Sequence, residues 1–267
     1  MAAITASLVN ELRNKTGLGM MECKKMLTET GGDIQKAIDE FRKKGVKASI
    51  TERAATEGRV EVLTRGNTAV AVEVVCNTDF TAKSDEVLKV AQRAAEFLAL
   101  NASASANDDP GIQEALANAS KVTGENVQLG RTAVLNGNVG SYLYSTAGKG
   151  KIGVLLQFSA SANEELIKAL GMHIAAARPL ALSRDQVPAD LVAKEREIAI
   201  EQAKATGKPQ NIAEKIAEGK MASFYSERVL LDQEFVNADF FKGKVSDLLK
   251  SKGVELVKYV RLEVGQA

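Results

Sequence analysis

The chain has 267 residues, 45% of them hydrophobic and 26% charged, with 35 basic side chains against 34 acidic ones. At about 100–200 residues per domain this length predicts one to three domains, and a net charge of +1 removes the general electrostatic pull that nucleic-acid binders rely on. Twelve aromatics without tryptophan leave little for a base-stacking platform, one histidine excludes any site needing two, and two cysteines (Cys23 and Cys76) form neither a Cys-x-x-Cys pair nor a disulfide framework.

The start, Met1-Ala2-Ala3-Ile4-Thr5, lacks a basic stretch followed by an apolar run, so no signal peptide is expected. No segment approaches the ~18 uncharged apolar residues of a membrane span. A cytoplasmic protein without membrane contact is the expectation. Residues 5–44 read as three short helices. Thr5 can cap the first, with Leu8, Val9 and Leu12 as its stripe and Gly17 as the stop. The second starts near Met20 and carries Cys23, Met26 and Leu27 before Gly31-Gly32. Asp33 caps the third, with Ile34, Ala37, Ile38 and Phe41 at helical spacing and Gly45 as terminator. Residues 46–57 are basic and polar and read as a linker.

A duplication follows. Gly58, Val60, Val62, Gly66, Val70, Val72, Val74 and Cys76 have counterparts 82 residues later in Gly140, Tyr142, Tyr144, Gly148, Ile152, Val154, Leu156 and Phe158. Both copies alternate apolar residues around a glycine turn, the pattern of a β-hairpin with one buried face. A helix follows each hairpin at an offset of 79, with Val87, Leu88, Ala91, Ala95 and Leu98 matching Leu166, Ile167, Leu170, Ile174 and Ala177. The first copy therefore holds three extra residues between strand and helix, within Asn77-Thr78-Asp79-Phe80-Thr81. Residues 101–110 read as a loop, 111–122 as a helix and Arg131–Leu135 as a strand. Beyond Pro188, two helices at 189–205 and 211–230 are broken by Gly207-Lys208-Pro209 and form a helical hairpin whose polar faces suggest a projecting arm. A short helix (Val245, Leu248, Leu249) and a strand, Val254–Val264, close the chain.

Little of this carries catalytic chemistry. Gly148-Lys149-Gly150-Lys151 lacks the leading glycine and the Ser/Thr of a phosphate loop, and Ile152 continues a strand, so a hairpin turn is expected. Gly17-Leu18-Gly19 follows no strand and has Glu22 where a third glycine belongs. His173 lies on the apolar stripe of a helix and reads as a packed side chain. The pairs Glu164-Glu165 and Asp108-Asp109 fit a helix start and a polar loop. No catalytic residue, metal ligand or cofactor is expected. Phe80 admits two readings. Thr78 or Asp79 could cap the next helix with Phe80 stapled onto Leu88 or the sheet. Alternatively, an aromatic on an inserted loop tip is a binding anchor, since the second copy makes the same connection without one. Of Met20-Met21, two neighbours that cannot both point inward, one is expected to be exposed.

Two stretches resemble signatures of the bacterial elongation factor Ts family. They are Leu12-Arg13-x-x-Thr16-Gly17-x-Gly19-Met20-Met21-Glu22-Cys23-Lys24-Lys25, and Glu73-Val74-Val75-Cys76-Asn77-Thr78-Asp79-Phe80. The closing Leu262-Glu263-Val264-Gly265 and the order of segments also fit. The resemblance implies an α+β fold with a ubiquitin-associated-like three-helix head (1–53 with its linker), a two-part core (54–139, and 140–182 completed by 232–267) and a coiled-coil arm at 183–231. It implies exchange of guanine nucleotide on the translational GTPase elongation factor Tu. Thr78, Asp79, Phe80 and Thr81 would push between two helices of the GDP-bound partner and dislodge its Mg2+, and GTP rebinding would expel the factor. Arg13, Met20 and Met21 of the head, and Tyr142 and Tyr144 of the second hairpin, would make further partner contacts, and a homodimer of heterodimers is an assembly the resemblance allows. The chain departs from the family at Asn77 (usually Gln or Glu), Thr81 (usually Val) and Tyr144 (often His), and a further helix that many members add is expected to be absent after Ala267. A helical-head recruitment module without exchange activity and a small-molecule enzyme are the competing classes, and the second lacks any visible acid or base.

Overall fold

The computed structural model describes residues 4–16, 18–43, 57–204 and 209–266. The expected stops at Gly17 and Gly45, linker residues 46–56 and Gly207-Lys208 lie outside them.

The head consists of α1 (Ala6–Thr16), α2 (Met20–Glu29) and α3 (Ile34–Lys43). Thr5 Oγ1 accepts the Leu8 amide at 3.2 Å and Asp33 Oδ1 accepts the Lys36 amide at 3.0 Å, so both expected caps form. Val9, Leu12, Cys23, Met26, Leu27, Ala37 and Phe41 close a small core between the three helices.

The body is built from two antiparallel sheets. Strands β1 (Glu57–Arg65), β2 (Thr68–Cys76) and β3 (Gln128–Asn136) form the first, and β4 (Asn138–Thr146), β5 (Lys149–Phe158) and β6 (Leu256–Glu263) the second, each in sequential order. The duplication is visible in the pairing. Cys76 faces Glu57 as its counterpart Phe158 faces Asn138, but the offset of 82 matches Glu57 to Val139: the first strands run one residue out of step with the expected counterparts, so Tyr142 packs on the helical side where Val60 faces the other sheet. Glu57, which the polarity of 46–57 assigned to the linker, is the first residue of β1. After β2 come α4 (Asp79–Ala82), α5 (Asp85–Leu100) and α6 (Pro110–Thr123). After β5 come α7 (Glu164–Ala177), α8 (Ala189–Lys204), α9 (Gln210–Arg228) and α10 (Val245–Ser251). The repeat thus extends beyond its sequence signal: each unit is a hairpin, a long helix, a second helix and a third strand that pairs with the hairpin's second strand.

The strands are buried on both faces, not on one as the alternation suggested. Val70, Val72, Val74 and Cys76 of β2 pack under α5 and α6, with Val87, Ala91, Leu98, Ile112 and Leu116. Ala69 and Ala71, on the opposite face, meet the second sheet together with Val60, Leu135, Leu155 and Leu262. The small alanines let two sheets approach closely, which is why the second face carried no strong hydrophobic signal. The second sheet has its own helical cover from α7 and α10, through Leu166, Leu170, Ile174, Val245 and Leu248. Four layers result: helices, sheet, sheet, helices.

The sheet junction is also polar at one end. Arg131 donates to both oxygens of buried Glu73 (2.8 and 3.1 Å) and to the Glu263 carbonyl of the other sheet at 2.6 Å. The Glu263 carboxylate receives Arg178 at 2.8 Å and Arg261 at 2.6 Å. Helices α8 and α9 pack on one another through Ala199, Ala203, Ala217 and Met221. At their base Ala181, Val187 and Val229 form a separate small core. Arg184 lies over the Tyr225 ring at 4.8 Å while its guanidinium grips Asp232. Among the described residues no helix is long and apolar enough to cross a membrane.

His173 is fully buried, as its place on the α7 stripe predicted. Its Nδ1 accepts the Val236 amide at 3.2 Å, which places the proton on Nε2, where it donates to Gln233 Oε1 at 3.0 Å. A second proton on Nδ1 would displace the Val236 bond, and burial pushes the imidazole pKa below its usual 6.5. The unfolded chain takes up a proton near pH 6.5 that the fold refuses. Stability is therefore full above that pH and falls as acidity passes below it, by at most about 1.4 kcal/mol per pH unit for one proton. Denaturant unfolding between pH 7.5 and 5.5 measures this slope, and with a single histidine in the chain its assignment is direct.

Candidate functional site

Where the second unit turns directly from β5 into α7, the first inserts α4, one turn of helix. Thr78 is its N-cap: its Oγ1 accepts the Thr81 amide at 3.2 Å. One turn of helix has no stability of its own, so the anchors beneath it decide its position.

The first anchor is Glu125. It follows Gly124, which ends α6 in the left-handed conformation (φ 70°) and turns the chain back toward the loop. One carboxylate oxygen accepts the Asn77 and Thr78 amides at 3.1 and 3.0 Å, and the other accepts the Thr78 hydroxyl at 2.6 Å. Asn77 Oδ1 in turn accepts the Asn126 amide at 3.0 Å. Thr81 is buried beneath the turn. Burial pushes the Glu125 carboxyl up, but the hydrogen bonds from Thr78, Thr81 and the backbone outweigh it and hold the group below its usual 4.5. The clamp is thus complete above that pH and is lost only as acid protonates Glu125. Replacing Glu125 with Ala is expected to cost about 1–2 kcal/mol, the value of hydrogen bonds to a half-exposed charge. It is also expected to speed amide hydrogen exchange at Asn77 and Thr78 at least tenfold, with Glu125→Gln between the two.

The second anchor is Lys149. Its Nζ bonds Asp79 and, at 3.1 Å, Glu57. Asp79 also pairs with Lys83 one turn along. Together the two lysines, Lys149 first, pull the Asp79 carboxyl down to about 2.

Above these anchors stands Phe80, 87% exposed. Of the two readings of the loop, the cap on Thr78 forms and the staple does not: the ring touches neither Leu88 nor the sheet closely enough to be covered. Met20 and Met21 are both exposed, at 50% and 77%, where only one was expected, because the first turn of α2 lies at the edge of the head and its core begins at Cys23. Arg13 is exposed on α1. In the second hairpin Tyr142 lies under α7, against Gly171, where a Cβ would come within 2.3 Å of its own Cβ. Tyr144, two residues on, is 42% exposed.

A model of the family described as elongation factor TS matches residues 77–266, which begin at the loop just described. Over its whole length the chain is 41% identical to elongation factor Ts of Acinetobacter baylyi, of which it covers 92%. It is 42% identical to elongation factor Ts of Methylococcus capsulatus and 41% identical to that of Vibrio vulnificus, with 99% of the chain aligned and 93% and 92% of those proteins covered. The chain belongs to the elongation factor Ts family.

As an elongation factor Ts family member the chain is a translation elongation factor. A groove of about 730 Å³ runs between the end of α7, the end of α9 and β6, lined by Arg178, Leu180, Arg228, Val257, Tyr259 and Arg261. It lies in the second unit, away from Phe80, and its only ring hydroxyl, Tyr259, is pushed up to about 12 by burial and bonds the Pro179 carbonyl at 2.9 Å. The buried Lys149 and the Glu125 clamp were missed by sequence reasoning. The only signals available were a Gly-Glu-Asn step after a helix and a lysine in a turn.

Proposed function

We propose that this protein is a guanine-nucleotide exchange factor for elongation factor Tu, with Phe80 as its working tip. The observation that carries the reading is an aromatic ring left almost wholly in water on a one-turn helix that is clamped from beneath. A fold hides such a ring unless a partner covers it. Thr78, Asp79, Phe80 and Thr81 act as one unit: Thr78 caps the turn, Thr81 seats it, Asp79 ties it down, and Phe80 enters between helices of the GDP-bound GTPase. There the displacement loosens Mg2+ and the phosphate contacts that hold the nucleotide. No bond is made or broken, so the protein is not an enzyme, and it needs no cofactor.

The head, residues 1–53 with its linker, is a ubiquitin-associated-like bundle that docks through Arg13, Met20 and Met21. Met side chains offer a soft surface suited to such a contact. The core comprises 54–139 and 140–182 with 232–267, and the second hairpin meets another part of the partner through Tyr144, with Tyr142 fixing the strand beneath. The helical pair within 183–231 forms a coiled-coil arm. The complex works in the cytoplasm, and two such complexes join as a homodimer of heterodimers.

The test is release of fluorescent GDP from elongation factor Tu in the presence of excess unlabelled GDP. Substoichiometric amounts of this protein are expected to accelerate release, each molecule acting many times. Binding without acceleration would instead support a recruitment module, and absence of binding would remove elongation factor Tu as the partner.

A further inference from the structure

We propose that Lys149, at the tip of the second hairpin, is a positioning residue for nucleotide exchange, tying α4 and its Phe80 to the second sheet through Asp79. The inference rests on the wedge reading of Phe80.

The Lys149 side chain is 7% exposed, so it is no surface contact for a partner. Its amine ends between the carboxylates of Asp79 and Glu57, which are 51% and 42% exposed. Asp79 has two ties of different kinds. Lys83 lies four residues along and holds it only to its own turn. Lys149 comes from the other structural unit and ties the outer edge of the turn to the second sheet. The hairpin delivers this lysine with little slack. Its two turn residues, Ala147 and Gly148, both have positive φ (50° and 83°), the tight turn that starts β5 at Lys149. The next residue, Gly150, sits so close to β1 that an added Cβ would lie 2.0 Å from the Val60 carbonyl oxygen. The tip is therefore seated on the first sheet, and the lysine points back under α4. Burial pulls the amine toward neutrality, but Asp79 and Glu57 more than offset it and hold the amine charged.

A wedge delivers force only if its base does not yield. Glu125 fixes the start of the loop, buried Thr81 and Ala82 seat the inner face of the turn, and Lys149 holds its outer edge through Asp79, so loss of Lys149 lets the side that carries Phe80 yield. Such a wedge still reaches its partner. It spends part of the binding free energy on its own displacement, which slows the step after docking more than docking itself.

The decisive variants are Lys149→Met, which keeps the stem, and Lys149→Arg, which keeps the charge. Asp79 and Glu57 remain in water when the amine is removed, so Lys149→Met is expected to fold with a melting temperature close to wild type. In the GDP-release assay with elongation factor Tu, Lys149→Met is expected to lower the maximal rate about fivefold to tenfold and to leave the half-saturating concentration within twofold. Lys149→Arg should recover most of the rate. A wild-type maximal rate in Lys149→Met overturns the proposal. So does a raised half-saturating concentration at unchanged maximal rate, or a loss that Lys149→Arg does not repair. Phe80→Ala measured alongside separates the two ideas. If it slows release while Lys149→Met does not, the wedge stands and the positioning role falls; if it releases GDP as fast as wild type, the wedge reading itself falls.

Discussion

Phe80→Ala is expected to slow GDP release from elongation factor Tu by about 10-fold to 150-fold at saturating factor. Burying a phenylalanine against a partner contributes about 1.5–3 kcal/mol, and each 1.4 kcal/mol is tenfold in rate if the contact forms only in the nucleotide-releasing complex. The same change should leave the protein's own stability within about 0.5 kcal/mol of wild type, because the ring is 87% exposed and holds nothing together. Binding through the head and second hairpin should persist, so the defect belongs in the maximal rate. Phe80→Leu, which keeps an apolar tip, should fall between. A variant that releases GDP normally would mean that the exposed ring has some other task.

The largest effect on folding is expected at the ion-paired junction between the two sheets. Arg131→Met strips Glu73 (its side chain is 5% exposed) of both guanidinium hydrogen bonds, leaving only the residue 131 amide at 3.3 Å, and removes the tie to the Glu263 carbonyl. Breaking a buried ion pair on one side typically costs about 3–5 kcal/mol. The Arg131 side chain is 35% exposed, so water can reach the gap, and about 2–4 kcal/mol is the expectation here. Urea unfolding at pH 7 measures it. Glu73→Leu combined with Arg131→Met should recover more than half of the loss. Equal instability of single and double variants would show that packing, not charge, is what Arg131 supplies.

The elements most legible in the sequence are those decided by neighbours along the chain. Thr5 and Asp33 cap α1 and α3 because a capping side chain bonds an amide three residues on, a relation that any fold preserves. The three extra residues between hairpin and helix appear as α4, and the counterparts on the second strand of each hairpin share the helix-covered face, whereas those on the first strand are one residue out of step. Phe80 stood out because the second copy lacks it. Its exposure could not be read, since an aromatic beside a helix start is just as consistent with a staple. The burial of β2 on both faces was hidden because close sheet packing selects alanine, and alanine carries little hydrophobic signal. Both methionines of the head are exposed because the edge of a small bundle, and not the spacing of two residues, decides which side chains find neighbours.

By itself, then, the sequence determined the α+β composition, the helices and hairpins, the repeat, and the inserted loop that carries Phe80. These depend on period, capping and turn chemistry, which act within a few residues. The tertiary structure alone decided what holds that loop. Glu125 is 47 residues from Thr78, and Lys149 belongs to a turn in the other unit. Contacts of that kind arise because a third strand returns beside β2 and because two sheets pack face to face, and no local pattern encodes where two distant segments of chain will meet.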